Sequence, residues 1–290
     1  MKILITGTAG FLGRHFEAAL AEDHEVFGFD INPGPGRLPV DALDVFRGDD
    51  THFDLVIHCA AVDPHRSAID TMPLAMGAGS LQLDATMFSW ATRTRPGQVV
   101  YFSSCTAYPA RPGVGMRPMR EDDVDAPFTV GQVDMYGWTK LTGERMAWHY
   151  TQTGGLVTVV RPFSGYGTDQ DTRFPFGAFV DRARRRADPF EIWGDGQQIR
   201  DWVHVDDIVG ATLAAVYDGV GGPVNIGTGR ATSLNELAAM VCTQARYRPQ
   251  FVHRLDAPAG PSYRVADTTA LNTFYTPRVA LEEGVARALA

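Results

Sequence analysis

The feature that most constrains the fold of this chain is its opening, "KILITGTAGFLG". A short apolar run, Lys2 to Thr6, passes into Gly7, Gly10 and Gly13 and then into a helical pattern from about residue 11 to 21. A buried strand followed at once by small residues and a helix is the first half of a parallel βα unit. The pattern recurs. "EVFGFD", ending at Asp30, "FDLVIHCAA", "QVVYFSS" and "GLVTVVRP" are nearly continuous in apolar character, as strands covered on both faces must be. Helical stretches are expected over about 75–93 and 135–153, and the alternation predicts an α/β protein with a Rossmann-type doubly wound parallel sheet. Beyond Arg161 the pattern loosens into a Pro-, Gly- and charge-rich stretch with a helix over about 176–186. "DWVHVDDIVGATLAAVYDG" and "PVNIGTG" then add strands and a helix, and "SLNELAAMVCTQA" reads as a helix capped by Ser233 with Glu236 three residues later. The expected division is a larger domain of 1–163 and 201–228, and a smaller, discontinuous one of 164–200 and 229–290.

With 290 residues the chain accommodates a large domain and a smaller partner, and its 44% apolar fraction and 30 glycines suit many strand–helix turns. A formal charge of −8 argues against nucleic acid or an anionic membrane as partner. Cys59, Cys105 and Cys242 are scattered and odd in number, which points to a reducing, cytoplasmic setting rather than a disulfide scaffold. No signal peptide, membrane span or metal site is read from the sequence.

Gly7, Gly10 and Gly13, between a strand and a helix, let a backbone approach a pyrophosphate, and the helix N-terminus supplies N–H groups and partial positive charge. Asp30, at the end of the second strand, suits a ribose hydroxyl and would repel a 2′-phosphate, and no arginine immediately follows it. NAD is therefore expected over NADP, although a turn-capping role for Asp30 is the plainer alternative. "GRLPVDALD" reads as a short bridge to the fourth strand; its Asp41 either reaches the adenine amino group or is a solvated turn carboxylate. Ala61, in "HCAA", leaves room for the cofactor ribose, and His58 is read as structural.

Tyr136 and Lys140, in "YGWTKLTGE", stack on one helical face. A phenol titrates near ~10, and a neighbouring ammonium favours its ionised form, so the pair can act as a general acid and base. Ser104, in "VVYFSSCTAYP", stands at a strand end where its hydroxyl can meet a substrate oxygen, with Thr106 beside it and Cys105 as packing. This order of groups describes hydride transfer on a nicotinamide, with Lys140 also holding the nicotinamide ribose. In "EIWGDGQQIRDWVHVDD", Arg200 follows a Gly-Asp-Gly turn and offers a guanidinium fork to a diphosphate; a salt bridge to Asp201 or Asp206 is the alternative. Arg264 and Arg173 are weaker anion candidates, and Arg182 to Arg186 read as a solvated face or a mild funnel.

Together "TGTAGFLG", "HCAA", "YGWTK", "RPFSGYG" and "GDGQQIRDWVHVDD" resemble the extended short-chain dehydrogenase/reductase family, in particular its nucleotide-sugar epimerase/dehydratase branch. The resemblance implies catalytic roles for Ser104, Tyr136 and Lys140. It implies a cofactor site of Gly7, Gly10, Phe11, Leu12, Gly13, Asp30, Asp41, Ala61, Lys140 and Phe163. It also implies substrate-side places for Thr106, Ser164 and Arg200, to which Arg264 is added as an anion candidate, and a homodimer through the two long helices. Met76 and Ser164 stand where the family often has Asn, and "SSCTAYP" lacks the Asp-Glu pair of sugar dehydratases and the glutamate of sugar-acid decarboxylases. The preferred reading is an NAD-dependent, redox-neutral epimerase of a nucleotide sugar, acting at C4. A dehydrogenase or ketoreductase of a sugar or small secondary alcohol stands beside it, as does a catalytically silent NAD-binding protein.

Overall fold

The computed structural model describes residues 1–34, 36–62, 66–110, 116–125 and 133–290. Its first half runs β1 (Lys2–Thr6), α1 (Phe11–Leu20), β2 (Glu25–Phe29), α2 (Ala42–Gly48), β3 (Leu55–His58), α3 (Arg66–Thr71), α4 (Pro73–Thr94), β4 (Gln98–Phe102), α5 (Met135–Gln152) and β5 (Val157–Pro162). Then follow β6 (Ser164–Tyr166), α6 (Pro175–Arg184), β7 (Phe190–Trp193), β8 (Ile199–Arg200), β9 (Trp202–His204), α7 (Val205–Tyr217) and β10 (Pro223–Ile226). The chain ends with β11 (Thr232–Ser233), α8 (Leu234–Gln244), β12 (Phe251–Arg254), β13 (Tyr263–Arg264) and α9 (Leu281–Leu289).

Six strands form one parallel sheet in the order β10-β5-β4-β3-β1-β2. Its continuous apolar runs follow from burial on both faces. Ile3, Ile5, Ile57, Val100 and Val160 join a core with Phe16 and Ile208 from α1 and α7. Leu4, Val56, Val99, Tyr101 and Val159 meet Phe46, Trp90 and Tyr150 from α2, α4 and α5 on the other face. Alternate residues of each strand thus feed different cores, the period-two geometry of a pleated strand. From β1 the chain steps outward to β2 and then returns to the far side of β1 as β3. The crevice beyond the β1 and β3 ends is the switch point at which doubly wound sheets bind ligands.

The smaller, discontinuous part has its own core, in which Tyr166, Phe176, Phe190 and Trp202 pack on Leu237 and Val241 of α8 and Val285 of α9. Ser233 and Glu236 form the expected reciprocal cap on α8. The bridge expected after β2 contains a helix instead: α2 begins at Asp41, whose side chain accepts the Leu43 N–H at 2.8 Å. Seven residues are too few for a periodic signal, so this helix rests on its cap and on Phe46. Among the described residues no helix is long and apolar enough to cross a membrane.

Candidate active site

The glycine turn is built by close approach. Gly7 has φ +74°, and a Cβ there would lie 2.7 Å from the Ala60 nitrogen, so only glycine lets β1 turn beside the end of β3. Its N–H donates to the Phe29 carbonyl at 2.7 Å, and the Ala9 N–H donates to Asp30 Oδ2 at 2.9 Å. Asp30 therefore fastens the turn, and its Oδ1 accepts the Asn32 N–H. Helix α1 starts at Gly10 with no side-chain cap and no acid in its first turn, so no carboxylate competes with an anion for the N–H groups of Phe11, Leu12 and Gly13. The next arginine along, Arg37, pairs with Glu17 at 2.8 Å. Asp41 caps α2, and Ala61 lies exposed just past β3.

The chemical groups converge from β4 and α5. Ser104 ends the extended run of β4, and its Oγ accepts the Thr106 N–H at 3.1 Å, leaving its own proton to donate elsewhere. Helix α5 sits directly on this turn: a Cβ at Gly137 would lie 2.3 Å from the Thr106 carbonyl oxygen. That contact, with Asp134 capping the Gly137 N–H at 2.8 Å, brings the first turn of α5 beside Ser104. Tyr136 and Lys140 are both buried, at 9% and 4% exposure, and the Lys140 Nζ stands 5.7 Å from the Tyr136 ring centre. The Thr106 hydroxyl oxygen is buried with no protein partner. Burial pushes the Cys105 thiol up, against the pull of Arg264 and Arg200.

Those two arginines arrive together. Strands β8 and β13 pair in parallel, with Arg200 in register with Arg264. Arg264 is 5% exposed; Nη2 donates to the Tyr108 carbonyl at 2.9 Å and Nη1 to the Tyr263 carbonyl at 3.2 Å, while Nε has no partner. Burial holds its guanidinium below the usual range. The alternative of an Arg200 bridge to Asp201 or Asp206 is not what these carboxylates do. Asp201 is fully buried and accepts from Thr228 N and Oγ1, Gly229 N and Ala266 N, tying β8 and β9 to the loop after β10. Asp206 pairs with His204 and Arg287.

Arg173 is clamped by Asp171 at 2.7 Å near the surface. Arg184 and Arg186 donate to carbonyls at 288, 245 and 246, near the ends of α9 and α8, and Arg185 pairs with Asp181 one turn away. Phe163 is buried against Tyr108, and Ser164 lies on β6 with its N–H on the Asp201 carbonyl. His58 is buried, its Nδ1 2.8 Å from the Thr6 hydroxyl.

A model of the NAD dependent epimerase/dehydratase family matches residues 3–227. The chain belongs to this family. A dTDP-4-dehydro-6-deoxy-D-allose reductase of a Streptomyces species is 29% identical over 295 residues, covering 93% of this chain and 89% of the relative. The crystal structure of a UDP-glucose 4-epimerase with UDP-glucose from Thermotoga maritima aligns with TM-score 0.85 and 26% identity, covering 100% of this chain and 97% of that one. MoeE5 in complex with UDP-glucose and NAD aligns with TM-score 0.80 and 28% identity, over 100% and 97% of the two chains. The proteins that this chain resembles thus include one named as a 4-epimerase and one named as a reductase.

Sequence reasoning missed a buried polar network behind α5. Glu144, one turn beyond Lys140, holds Arg161 through Nε at 2.7 Å and Nη2 at 2.6 Å, and also accepts from Ser103. Arg161 Nη1 donates to the Tyr108 hydroxyl at 3.0 Å, which donates to Asn225. The available signal was a charge inside an apolar strand, "VVRP", and a carboxylate at helical spacing from Lys140. Asp84, in the middle of α4, was missed for the same reason. Among the described residues no group of His, Cys, Asp and Glu could hold a metal.

Proposed function

We propose that this protein interconverts a nucleotide sugar with its C4 epimer using NAD. The observation that carries this reading is the in-register pair of Arg200 and Arg264, because two guanidinium-bearing residues on adjacent strands fit the two phosphates of a diphosphate. A small secondary alcohol would leave them without a purpose. The N–H groups of Phe11, Leu12 and Gly13 and the ribose-accepting Asp30 fit the pyrophosphate and adenosine of NAD. Asp30 disfavours a 2′-phosphate, and Arg37 is already engaged with Glu17.

In the reaction, Tyr136 Oη takes the proton of the C4 hydroxyl while the Ser104 hydroxyl donates to the same substrate oxygen. The chemistry that NAD would supply, held by the N–H groups of Phe11, Leu12 and Gly13 and by Asp30, is a reversible acceptor for the C4 hydride. The C4–H and O–H bonds break, a ketone forms, and after the sugar turns the hydride re-enters on its other face as Tyr136 gives back the proton. The Lys140 ammonium, 5.7 Å from the Tyr136 ring centre, favours the phenolate and would also hold the nicotinamide ribose, so that one residue would set both proton affinity and cofactor position. Dehydration would need a further acid and base between Ser104 and Tyr108, where the only ionisable group is the Cys105 thiol, pushed up by burial. Helices α4 and α5, with Leu74 and Trp148 exposed, are our candidate face for a second copy.

The test is a panel of UDP-, dTDP-, GDP- and CDP-sugars with product configuration followed by NMR. The expected result is a C4 epimer, no reduced cofactor accumulating in solution, and about 10²–10⁴-fold less turnover in Tyr136→Phe. The similarity to a reductase supports a second reading, ketoreduction at the same site. Stoichiometric consumption of reduced cofactor would select it. Firm NAD binding with no turnover of any sugar would select a silent site.

A further inference from the structure

Asp84 lies on the buried face of α4, 1% exposed. An ionised carboxylate is costly to bury unless it is paired, so its partners reveal its use. Tyr101 on β4 donates its hydroxyl to Asp84 Oδ2 at 2.6 Å. His58, ending β3, brings Nε2 to 3.4 Å from Oδ1. The other ring nitrogen, Nδ1, stands 2.8 Å from the Thr6 hydroxyl, which accepts the Ala60 N–H at 3.3 Å. The Tyr101 ring centre in turn lies 5.2 Å from the Lys140 ammonium. A buried anion therefore stands one aromatic ring behind the cation that neighbours Tyr136.

Burial pushes the Asp84 carboxyl up, but the Lys140 charge, with His58 and Tyr101, outweighs it and holds the group below the ordinary carboxylate range. Burial and then Asp84 raise the Tyr101 phenol, which stays a neutral donor. Two other ionisable groups stand near Lys140 among the described residues. The Cys59 thiol, from the end of β3, is pushed up by burial, and Glu144, from α5 itself, is held by Arg161 and Ser103.

We propose that Asp84 is a positioning residue of the proton-transfer pair: held by Tyr101 and His58, it is the counter-ion of Lys140 and sets how strongly that ammonium acts on the Tyr136 phenol. Its use in catalysis rests on the roles given to Tyr136 and Lys140 above; the electrostatic coupling does not. Removing a buried negative charge favours proton loss from both neighbours. Asp84→Asn, which keeps the side-chain shape, should lower the Tyr136 titration midpoint by about one pH unit.

The midpoint can be read without substrate, by NMR of protein labelled with [ζ-¹³C]tyrosine, the Tyr136 signal being the one lost in Tyr136→Phe. Asp84→Glu keeps the charge and should leave the midpoint close to the parent value. The apolar double variant Asp84→Leu/Tyr101→Phe removes the anion and its donor together, so it leaves no orphaned hydroxyl and guards against a misfolded Asn variant. It should show the same downward shift. In the proposed epimerisation, both limbs of the pH–kcat profile should move together toward acid in the charge-removing variants, whereas a packing defect lowers kcat and leaves the limbs in place. An unchanged Tyr136 midpoint in the folded charge-removing variants overturns the proposal. A shifted midpoint in a protein that turns over no sugar supports the counter-ion and refutes the epimerase instead.

Discussion

Arg161 and Arg264 are both buried, at 1% and 5% exposure, and both grip Tyr108, one at its hydroxyl and the other at its carbonyl. Their surroundings differ. Arg161 is answered on every side: burial opposes its charge, but Glu144 and Tyr108 outweigh that and raise its proton affinity. Among the described residues Arg264 hydrogen-bonds only to neutral carbonyls and its Nε has no partner, and burial pulls its proton affinity down. A buried cation matched to a carboxylate is part of the frame, and here it locks α5 to the sheet. A buried cation left with carbonyls carries desolvation that an anionic ligand can offset.

The sharpest way to break this comparison is to unbalance the framed arginine. Glu144→Gln leaves Arg161 as an uncompensated buried charge, and unfolding in urea should show a loss of about 3–5 kcal/mol. A loss near zero would mean that Arg161 is as unpaired as Arg264. The converse substitution, Arg264→Leu, should leave folding stability within about 1 kcal/mol of the parent. Calorimetry should show it binding UDP about 10–100-fold more weakly, the cost of a lost charged hydrogen bond. Equal affinity would remove the diphosphate from the proposed function. The smallest effect belongs to Arg173, already clamped by Asp171 at the surface, where Arg173→Ala should change UDP affinity by less than about twofold.

The same contrast explains which parts of the molecule were legible in the sequence. Strands β1, β3, β4 and β5 announce themselves because a strand covered on both faces must be apolar throughout. The α8 cap was legible because Ser233 and Glu236 are local partners. Gly7 stood out through its place between strand and helix, although its closest neighbour, Ala60, belongs to another strand. Helix α2 escaped notice because it is too short to show a period. Asp84 was invisible because a lone acid in a helix usually faces water, and only the packing of α4 on β3 and β4 turns it inward. The Arg200 alternatives could not be separated in sequence, since Asp201 is its chain neighbour but points to Thr228, Gly229 and Ala266.

The sequence by itself determined the parallel sheet, the glycine turn, and the spacing that puts Tyr136 and Lys140 on one helical face, because these depend on local periodicity and backbone sterics. The tertiary structure alone decided which charges are paired. Arg200 meets Arg264 through strand register, Arg161 meets Glu144 across a helix–strand seam, and Asp84 meets Tyr101 and His58 from three separate elements. Burial makes each of these pairings energetically decisive, and burial is a property of how distant segments pack rather than of any one of them.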